Sequence, residues 1–535
     1  MIPFLAIFWL VRAVRALLFW IFLWQLKEYH IGRVRAHLDT WQGRRIFWNP
    51  LYGGKLALFF LAFFLPTFTL FLALFLYGAE AVGAAAAWAR RRLLKPAFTA
   101  KTVLLLSAGL IALLAFLGFV LALQRDFALK AILLFDLLAP FLFSGLVLLL
   151  QPLAAWGRAR ILARAREKRM TLKNLKVVGI TGSYGKTTTK EFLAAILSSK
   201  FRVAKTAEHQ NSEIGIANAI LELSPEHEVF VAEMGAYNKM GIALVCRMAL
   251  PHIAILTGAN EQHLATFGSQ ENLMAAEGGE ELVAVLPQAA PVILNKDSRQ
   301  LREAWEERAK NYDRKYVWCS AAGEAALWTD SVETTKDHIF FRAHSRTGET
   351  AEFSLSIPGA SNAENLLLAV AAARELGMSL EEIANAAREI PPEAGPMRIH
   401  KKRGGGYFAD ATYSANPDGV RAGLAYLKVW RGKKALVLPS LIELGSASSR
   451  IHKELGRAIG EVCDLAILTT RDKLTELREG ANEAGMEEDC LVFLNETEAI
   501  LEKLQFFTEP EDIVLLEGGK DSGVQRRLLG ALRSD

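Results

Sequence analysis

The pattern of apolar positions divides the chain into two unlike parts. Residues 1–157 carry long apolar runs, whereas from Leu175 onward short apolar runs alternate with segments of helical periodicity. Because a helix needs about 20 apolar residues to cross a bilayer, the first part predicts a membrane region of three or four transmembrane helices. The candidate runs are Ile2–Leu26, Leu56–Tyr77, Val103–Leu123 and Ala131–Trp156. Pro66 lies inside the second run, where a membrane helix tolerates proline as a kink.

Basic residues beside these runs predict their orientation. Lysine and arginine accumulate on the cytoplasmic side of a membrane, so Arg90–Lys95 and Arg158–Arg169 are expected inside. The basic segment Lys27–Lys55 would fall outside if every run crossed once. Since the first run contains Arg12 and Arg15, either that run does not span or the second run turns back on itself. The predicted location is the cytoplasmic membrane, with several crossings.

The remainder of the chain predicts two α/β domains. Short strands that alternate with helices indicate a parallel sheet covered on both faces. The predicted fold is a set of N-terminal transmembrane α-helices followed by a P-loop central domain (175–394) and a Rossmann-like C-terminal domain (395–535). Residues 158–174 are predicted to form a basic helical linker along the inner leaflet, and Pro391–Arg398 forms a hinge between the two domains. The predicted strands include Val177–Ile180, Val229–Glu233, Ile253–Thr257, Val292–Asn295, Tyr407–Asp410, Ala435–Pro439, Leu465–Thr469 and Ile513–Glu517.

Composition narrows the range of partners. Of the 535 residues 52% are apolar, and the net charge of +5 is small, with the basic residues clustered beside apolar runs. This placement favours membrane lipid over nucleic acid as the partner of the basic residues. The four cysteines are scattered without a C-x-x-C pair, so neither a disulfide framework nor a zinc site is predicted. The α/β domains are therefore expected in a reducing cytoplasm.

A glycine-spaced turn follows the first strand of the central domain. The sequence Gly182-x-x-Gly185-Lys186-Thr187 stands between an apolar run that ends at Ile180 and an amphipathic segment. Backbone N–H groups and the positive end of the helix dipole would face an anion there. Lys186 would reach the outer phosphates, and the Thr187 hydroxyl would bind Mg²⁺. The pattern predicts a nucleoside triphosphate site made of Gly182, Ser183, Gly185, Lys186, Thr187 and Thr188.

Two further strand ends carry side chains that suit a metal ion. Glu233 ends an apolar strand, and His263 follows the strand Ile253–Thr257. Because ligands gather at the carboxyl ends of parallel strands, we expect both residues beside the phosphate loop, in a Mg²⁺–triphosphate site. Taken alone, His263 is also compatible with an ordinary core or surface histidine.

Several motifs follow one another along the α/β part of the chain. They are Gly179–Thr189, Glu233–Ala236, His263–Leu264 with Phe267–Ser269, Asn362 with Asn365, Asp410–Asp418, and Glu443–Gly445 with His452. In this order they resemble the Mur ligase superfamily, and most closely the branch that adds D-alanyl-D-alanine to the UDP-muramoyl tripeptide. The resemblance implies an ATP- and Mg²⁺-dependent amide ligase with a P-loop Mur-ligase central domain. In such ligases a carboxylate attacks the γ-phosphate, and an amine then displaces phosphate from the acyl phosphate.

The resemblance also implies roles for individual residues. Lys186, His263 and Glu277 would be catalytic, and Thr187, Glu233, His263 and Glu277 would hold metal ions. Asn362 and Asn365 would contact adenine, Asp410 the ribose or phosphate edge, and Arg398 would replace the arginine that relatives place after the hinge glycine. Asn211, Ser212, Tyr413 and Asn416 would line the substrate side.

The chain departs from the resemblance at further positions. Relatives carry a carbamylated lysine where Glu277 stands, so Glu277 would supply the same charge on a shorter arm. Glu280, one turn on, is an alternative for that role, and Glu277 would then be a solvated helix residue. Beside Asn211, His209 and Ser212 replace two asparagines. The membrane region stands where soluble relatives have a domain that grips the UDP group.

These features lead to one principal hypothesis and two alternatives. The principal hypothesis is a membrane-anchored ligase that adds an amino acid or D-alanyl-D-alanine to a cell-wall (peptidoglycan) precursor, UDP-linked or lipid-linked. A poly-amino-acid or capsule-type ligase is the second. A membrane ATPase, transporter or regulator belongs to another class and requires intramembrane ionisable residues, of which the last apolar run offers Asp136.

Overall fold

The computed structural model describes residues 1–90, 93–208, 210–236, 238–413, 415–518 and 523–533. Arg91 and Arg92 of the basic segment, and His209 and Ser414 of the motifs, lie outside the described residues. The chain forms two compact units, Met1–Ala159 and Arg160–Asp535. The second unit contains both α/β domains.

The first unit consists of long apolar helices. In chain order they are α1 (Ile2–Leu26), α2 (Ile31–Leu38), α3 (Trp41–Phe47), α4 (Pro50–Phe64), α5 (Pro66–Ala89), α6 (Ala100–Ala122), α7 (Arg125–Leu149) and α8 (Gln151–Thr171), which runs past Ala159. The side chains of Thr40, Asn49 and Thr99 cap the helices that follow them by accepting a backbone N–H. Among the described residues, five helical segments are long and apolar enough to cross a membrane, judged by length and composition.

Pro66 begins a new helix instead of kinking an existing one. Helix α4 ends at Phe64, and α5 starts at Pro66, where the missing N–H donor costs nothing in the first turn. Lys55 of α4 pairs with Glu80 of α5 at 2.6 Å, whereas one continuous helix would separate these residues by about 37 Å. The expectation of a single kinked helix over Leu56–Tyr77 is therefore wrong, and the alternative in which this run turns back agrees with the structure.

Four charged side chains meet inside the first unit and form an ion network. Arg12 Nη1 lies 2.6 Å from Asp136 Oδ1, and Lys55 Nζ lies 2.7 Å from Asp136 Oδ2 and 2.6 Å from Glu80 Oε2. The side chains of Lys55 and Asp136 are only 3% and 1% exposed. Because one residue comes from each of α1, α4, α5 and α7, the network joins four helices, and its formal charges cancel.

The predicted linker is the end of a helix that packs on the central domain. Ala165 and Leu172 are buried in the apolar core of that domain. Arg169 is buried too, and its guanidinium donates hydrogen bonds to the carbonyl oxygens of Leu172, Leu175 and Ala249. The expectation that this segment lies along a membrane surface is therefore wrong for Arg169, because the carbonyl groups at the end of α8 attract its charge.

The central domain is built on one mixed sheet. Its elements are β1 (Lys176–Thr181), α9 (Lys186–Leu197), β2 (Val203–Lys205), α10 (Glu213–Glu222), β3 (Val229–Glu233), α11 (Gly241–Ala249), β4 (Ile253–Leu256), α12 (Leu264–Phe267), α13 (Gln270–Ala276), α14 (Glu280–Val285), β5 (Pro291–Asn295), α15 (Arg299–Arg308), β6 (Lys315–Ser320), β7 (Leu327–Thr329), β8 (Glu333–Thr334), β9 (Ile339–Ser345), β10 (Thr350–Leu355), α16 (Asn362–Glu375) and α17 (Leu380–Ala387). The strand order is β10-β9-β7-β6-β5-β4-β1-β3-β2, and β8 pairs with β9.

This sheet is parallel over most of its width and antiparallel at one edge. The pairs among β1 to β7 are parallel, as predicted. Strand β9 pairs in antiparallel fashion with β7, β8 and β10. The prediction of a wholly parallel sheet is wrong at this edge, because short turns replace the crossover helices there.

Both faces of the sheet are buried. Val177 of β1 packs in the cluster formed with α10, α11, α14 and α15, and Val178 packs in the cluster formed with α9, α16 and α17. Successive side chains of a strand point to opposite faces, so an unbroken apolar run such as β1 fits a strand covered on both sides. The phosphate loop follows β1 at its carboxyl end.

The C-terminal domain is a second, smaller α/β domain, as predicted. Its elements are β11 (Arg398–Lys401), β12 (Tyr407–Ala411), α18 (Pro417–Leu427), β13 (Lys434–Leu438), α19 (Ser448–Gly460), β14 (Leu465–Leu468), α20 (Leu474–Glu483), β15 (Leu491–Phe493), α21 (Thr497–Leu504), β16 (Ile513–Glu517) and α22 (Gly523–Leu532). The order is β11-β12-β16-β13-β14-β15. Every pair is parallel except β11–β12.

Candidate active site

The phosphate loop has a backbone that requires glycine at two positions. Gly182 has φ of 149° and Gly185 has φ of 75°, both in the region that disfavours side chains. A Cβ atom at Gly182 would overlap the Thr257 hydroxyl, and one at Gly185 would overlap the amide oxygen of Asn365. Gly185 is also the N-cap of α9, so the first N–H groups of this helix are left for an anion.

Lys186 is the first residue of α9 and folds over the loop. Its ammonium donates hydrogen bonds to the carbonyl oxygens of Gly182 and Ser183. The side chain therefore places a positive charge at the mouth of the loop, where phosphate groups would lie. This geometry suits the triphosphate site predicted from the glycine spacing.

A chain of hydrogen bonds links the loop to His263. The Ser183 hydroxyl donates to Glu277 Oε2 at 2.7 Å, and Glu277 Oε1 lies 2.7 Å from His263 Nδ1. Ser183 also accepts a hydrogen bond from the backbone N–H of Asn260 at 3.1 Å. The structure thus brings together three predicted residues that are far apart in the sequence.

Glu277 is buried yet remains negatively charged. Only 2% of the residue is exposed. Burial alone would raise the pKa of this carboxyl, but the charge and hydrogen bond of His263, the charge of Lys186 and the Ser183 hydroxyl outweigh it and lower the pKa. Glu277 is therefore not a solvated helix residue, and that alternative is wrong. Glu280, the other candidate, instead pairs with Arg308 at 3.2 Å with a side chain that is 37% exposed.

Glu233 lies at the end of β3 in a second group of polar residues. Its Oε1 accepts a hydrogen bond from Asn211 Nδ2 at 3.0 Å, and its Oε2 lies 3.3 Å from the ammonium of Lys190. The Thr206 hydroxyl accepts the backbone N–H of Glu233 at 3.1 Å. Lys190 is completely buried, so its charge holds the carboxylate of Glu233 in one place.

Comparison with known proteins agrees with this geometry. Residues 180–373 match the Mur ligase middle domain, and residues 397–519 match the glutamate ligase domain of Mur ligases, which together are more than half of the chain. The chain belongs to the Mur ligase superfamily.

Several similar Mur ligases are D-alanyl-D-alanine ligases or MurF proteins. The UDP-N-acetylmuramoyl-tripeptide–D-alanyl-D-alanine ligase of Synechocystis is 28% identical over 398 residues, which are 73% of this chain and 79% of that protein. MurF of Acinetobacter baumannii superimposes with a TM-score of 0.62 at 25% identity, over 70% of this chain and 80% of the other. MurF of Thermotoga maritima, solved with ADP, gives a TM-score of 0.59 at 25% identity, over 70% and 83% of the two chains. Mur ligases are ATP-dependent, and this chain is an ATP-dependent carboxylate–amine ligase.

The metal ligands expected of a Mur ligase fall into two groups in this chain. Among the described residues, no three His, Cys, Asp or Glu side chains converge on one possible metal position. Glu233 lies in one group and His263 with Glu277 in the other. Glu277 Oε1 lies 2.7 Å from Nδ1 of His263, so a metal bound by this histidine would contact Nε2. A carboxylate commonly orients a metal-binding histidine in this way, so Glu277 fits an orienting role, and its direct contact with a metal stays a prediction.

Tyr413 brings the C-terminal domain to the phosphate loop. Its phenol forms a hydrogen bond with the side chain of Thr187. Burial raises the pKa of Tyr413 and this hydrogen bond lowers it, while the charges of Glu233, Glu208 and Glu191 add to the increase. Tyr413 therefore stays protonated beside Thr187, a position that suits the predicted substrate role.

Other predicted residues shape the backbone around the site. Ser212 is the N-cap of α10 and accepts the N–H of Gly215 at 3.3 Å, and Asn416 is the N-cap of α18 and accepts the N–H of Gly419 at 2.9 Å. Asp410 accepts hydrogen bonds from the N–H and hydroxyl of Thr412. The hydrogen bonds of these side chains stabilise local turns. Their contacts with nucleotide or substrate remain predictions.

The two asparagines of α16 lie behind the phosphate loop. Asn365 Oδ1 accepts from the Thr189 hydroxyl at 3.3 Å and lies against Gly185. Asn362 donates to the carbonyl oxygen of Pro358 at 2.7 Å. Contact of both residues with adenine remains a prediction. Arg398 is exposed at the start of β11.

Two residues of the site were missed by sequence reasoning. Lys190 follows Lys186 by one helical turn, so the spacing of α9 carried a signal that both face the same side. Glu443 of the C-terminal domain lies 3.8 Å from His263 Nε2. Although Glu443 belongs to a motif, no local pattern indicated this contact, because the two residues come from different domains.

Proposed function

We propose that the protein is a membrane-anchored Mur ligase that joins an amino acid or dipeptide, such as D-alanyl-D-alanine, to a carboxylate of a cell-envelope precursor. The observation that carries the proposal is the chain Ser183–Glu277–His263, which connects a phosphate loop to a histidine at the domain boundary. The similar proteins whose names specify a D-alanyl-D-alanine ligase support the choice of substrate class.

The residues of the site suit a reaction in two steps. A carboxylate oxygen of the precursor attacks the γ-phosphorus of ATP, and ADP leaves. The amine nitrogen then attacks the carbonyl carbon, the bond to the phosphate oxygen breaks, and inorganic phosphate and one proton are released. Lys186 and the N-terminus of α9 would stabilise the triphosphate charge.

Divalent metal would assist the first step. Thr187, Glu233 and His263 would hold the Mg²⁺ ions, which would neutralise charge on the phosphates. The buried ammonium of Lys190 and the amide of Asn211 keep the Glu233 carboxylate oriented. Tyr413 of the C-terminal domain is hydrogen-bonded to Thr187, so this domain would help to exclude water, which would otherwise hydrolyse the acyl phosphate.

The helices of the first unit support a location in the cytoplasmic membrane. If α1, α4, α5, α6 and α7 each cross once, the basic segments before α4, after α5 and after α7 all fall on one side. This arrangement satisfies the tendency of basic residues to stay in the cytoplasm. The arrangement depends on the chain reversing at Leu65, between α4 and α5. This reversal adds one crossing, so the basic segment before α4 falls on the cytoplasmic side.

Cysteine labelling tests this orientation. In a variant without the four native cysteines, Leu65→Cys should react with an impermeant maleimide added to intact cells. Arg44→Cys should react only after the membrane is opened. Labelling of Arg44→Cys in intact cells would contradict the orientation.

The ligase reaction is tested with full-length protein in lipid nanodiscs. ADP release and product mass would be measured with ATP, Mg²⁺, an amine (D-alanyl-D-alanine or single amino acids) and either a UDP-linked or a lipid-linked muramoyl peptide. We expect ADP release that requires both acceptors and a product heavier by the amine minus water. Lys186→Ala should abolish both signals, and acceptor-independent ADP release would refute the proposal.

The ion network favours one second candidate, a membrane protein that uses ATP for transport or regulation. Ionisable residues inside a bilayer often mark a pathway, and Arg12, Lys55, Glu80 and Asp136 all lie in membrane-length helices. The acceptor experiment separates this candidate from the ligase, because a transporter would hydrolyse ATP in proteoliposomes without forming an amide product.

A further inference from the structure

The loop that carries His263 is held by the C-terminal domain. Several hydrogen bonds and an ion pair reach this loop from the other domain. They are Asn260 Nδ2 to Asp418 Oδ2 at 2.7 Å, Gln262 Nε2 to the carbonyl of Ala415 at 3.3 Å, Arg450 to Glu261 at 2.8 Å, and the N–H of Ala265 to the carbonyl of Glu443 at 3.0 Å. The position of His263 therefore depends on the docking of the C-terminal domain.

Glu443 places a carboxylate beside Nε2, the second nitrogen of the His263 ring. Glu443 Oε2 lies 3.8 Å from His263 Nε2, and its side chain is 6% exposed. Since Nδ1 of the same ring is bonded to Glu277 at 2.7 Å, His263 is held between two carboxylates. One carboxylate comes from its own domain and the other arrives with the C-terminal domain.

The backbone conformation of Glu443 is strained for a residue with a side chain. Its φ is 68°, in the left-handed region that glycine adopts at low cost and other residues adopt under strain. The next turn already contains a glycine, Gly445, with φ of 55°, where the loop approaches Ala265 closely. A glycine at 443 would suit the backbone better, so a purely structural role does not explain a glutamate there.

We propose that Glu443 is a positioning residue for His263, which couples the histidine to the docking of the C-terminal domain. The inference rests on the proposed function, in which His263 acts in the ligase site. When the domains are docked, Glu443 supplies negative charge beside Nε2 and stabilises the ring in one orientation. When they separate, His263 loses this carboxylate together with the backbone bond at Ala265, so the site is incomplete until the C-terminal domain has docked.

Two substitutions separate this role from a structural one. Glu443→Gly relieves the strained backbone and removes the carboxylate, so we expect an unchanged or higher Tm together with a fall of about tenfold or more in kcat. Glu443→Gln keeps the size and should lose kcat to a similar extent. Ala289→Gly is the matched control, because exposed Ala289 also has a positive φ (59°). Ala289 precedes β5, at the end of the strand that lies away from the phosphate loop. The control variant should raise Tm and leave kcat unchanged.

A double-mutant cycle tests whether Glu443 acts through His263. If it does, adding Glu443→Gln to the His263→Gln variant should lower the remaining single-turnover rate of ligation by less than twofold. Independent effects, in which the losses multiply, would overturn the proposal. So would normal kcat in both Glu443 variants.

Hydrogen exchange supplies a readout that does not depend on activity. The N–H of Ala265 donates to the backbone of Glu443, so its protection reports domain docking. We expect unchanged protection in Glu443→Gln, with kcat lost. Faster exchange in proportion to the loss of kcat would overturn the proposal, because Glu443 would then serve docking alone. Wild-type ADP release that requires both acceptors tests the ligase function separately.

Discussion

Replacing Glu277 by glutamine tests the centre of the proposed site. The carboxylate is buried, with one oxygen 2.7 Å from His263 Nδ1 and the other accepting the Ser183 hydroxyl at 2.7 Å. Glutamine has nearly the same volume but replaces one oxygen with an NH₂ group and removes the charge. One of the two contacts must then weaken, and any positive charge on His263 loses its partner.

The expected loss is large because the pair is buried. Removing one member of a buried ion pair costs about 3–5 kcal/mol, and a hydrogen bond to a charged group contributes about 1.5–3 kcal/mol. We therefore expect Glu277→Gln to lower the free energy of unfolding by about 3 kcal/mol at pH 7. If His263 loses its orientation, kcat for ADP release should fall about 100-fold, which corresponds to about 2.7 kcal/mol.

The pH dependence of the free energy of unfolding shows whether the charge of Glu277 stabilises the fold. The pKa of Glu277 is lowered from the model-compound value of 4.5 in the folded protein. A carboxyl with a lowered pKa stabilises the fold above its unfolded pKa, and this stabilisation is lost as the pH falls through the folded pKa. The contribution of the Glu277 carboxylate to the difference between wild type and Glu277→Gln should thus shrink as the pH falls below about 4.5.

Glu280→Gln is the matched control for these measurements. Glu280 begins α14, three residues after Glu277, and its ion pair with Arg308 is partly exposed, so its loss should cost less than about 1 kcal/mol and leave kcat unchanged. Both variants would be compared by urea unfolding and by ADP release with both acceptors present. If Glu277→Gln matched Glu280→Gln in stability and kcat, the chain Ser183–Glu277–His263 would have no energetic importance, and our reasoning would be refuted.

Three further predictions concern other parts of the molecule. Gly185→Ala should weaken ATP binding at least tenfold in calorimetry, because a Cβ would overlap Asn365 and strain the positive φ; unchanged affinity would contradict the assigned loop. Asp136→Asn should destabilise the helices of the first unit by about 3–5 kcal/mol, since it leaves Arg12 and Lys55 without their shared partner. Thermal unfolding in detergent would measure this, with half-exposed Asp126→Asn on the same helix as the control, and equal Tm values would refute the role of the network. Glu364→Gln should stabilise the protein by up to about 3 kcal/mol at pH 8.5 and have no effect near pH 4, because burial raises the pKa of Glu364 from 4.5 to about 7. The stability that the carboxyl contributes is present below pH 4.5 and lost as the pH rises through 7, so a pH-independent effect in urea unfolding would contradict this assignment.

Local patterns were sufficient for most secondary structure and for the phosphate loop. The prediction of Val229–Glu233 matches β3, and Gly182 and Gly185 stand at the two turns that require glycine. Such features depend on residues within a few positions of one another, so the sequence reports them directly. The apolar length of the first 157 residues likewise identified helices long enough to cross a membrane.

Contacts between distant residues could not be predicted in this way. Asp136 was the intramembrane ionisable residue that sequence reasoning noted, and its partners Arg12 and Lys55 come from other helices. The role of Glu277 was left open between a metal ligand and a solvated residue, until burial and the bond to His263 removed the second alternative. In both cases the charge was visible in the sequence, but its partner was decided by packing.

The sequence by itself determined that this chain has long apolar helices, a phosphate loop at a strand end and the ordered motifs of a Mur ligase, because each is encoded by neighbouring residues. Only the tertiary structure decided that the second apolar run reverses at Leu65 and that Glu443 meets His263. A reversal or a contact between domains results from which surfaces bury one another, and this depends on the whole fold rather than on local spacing.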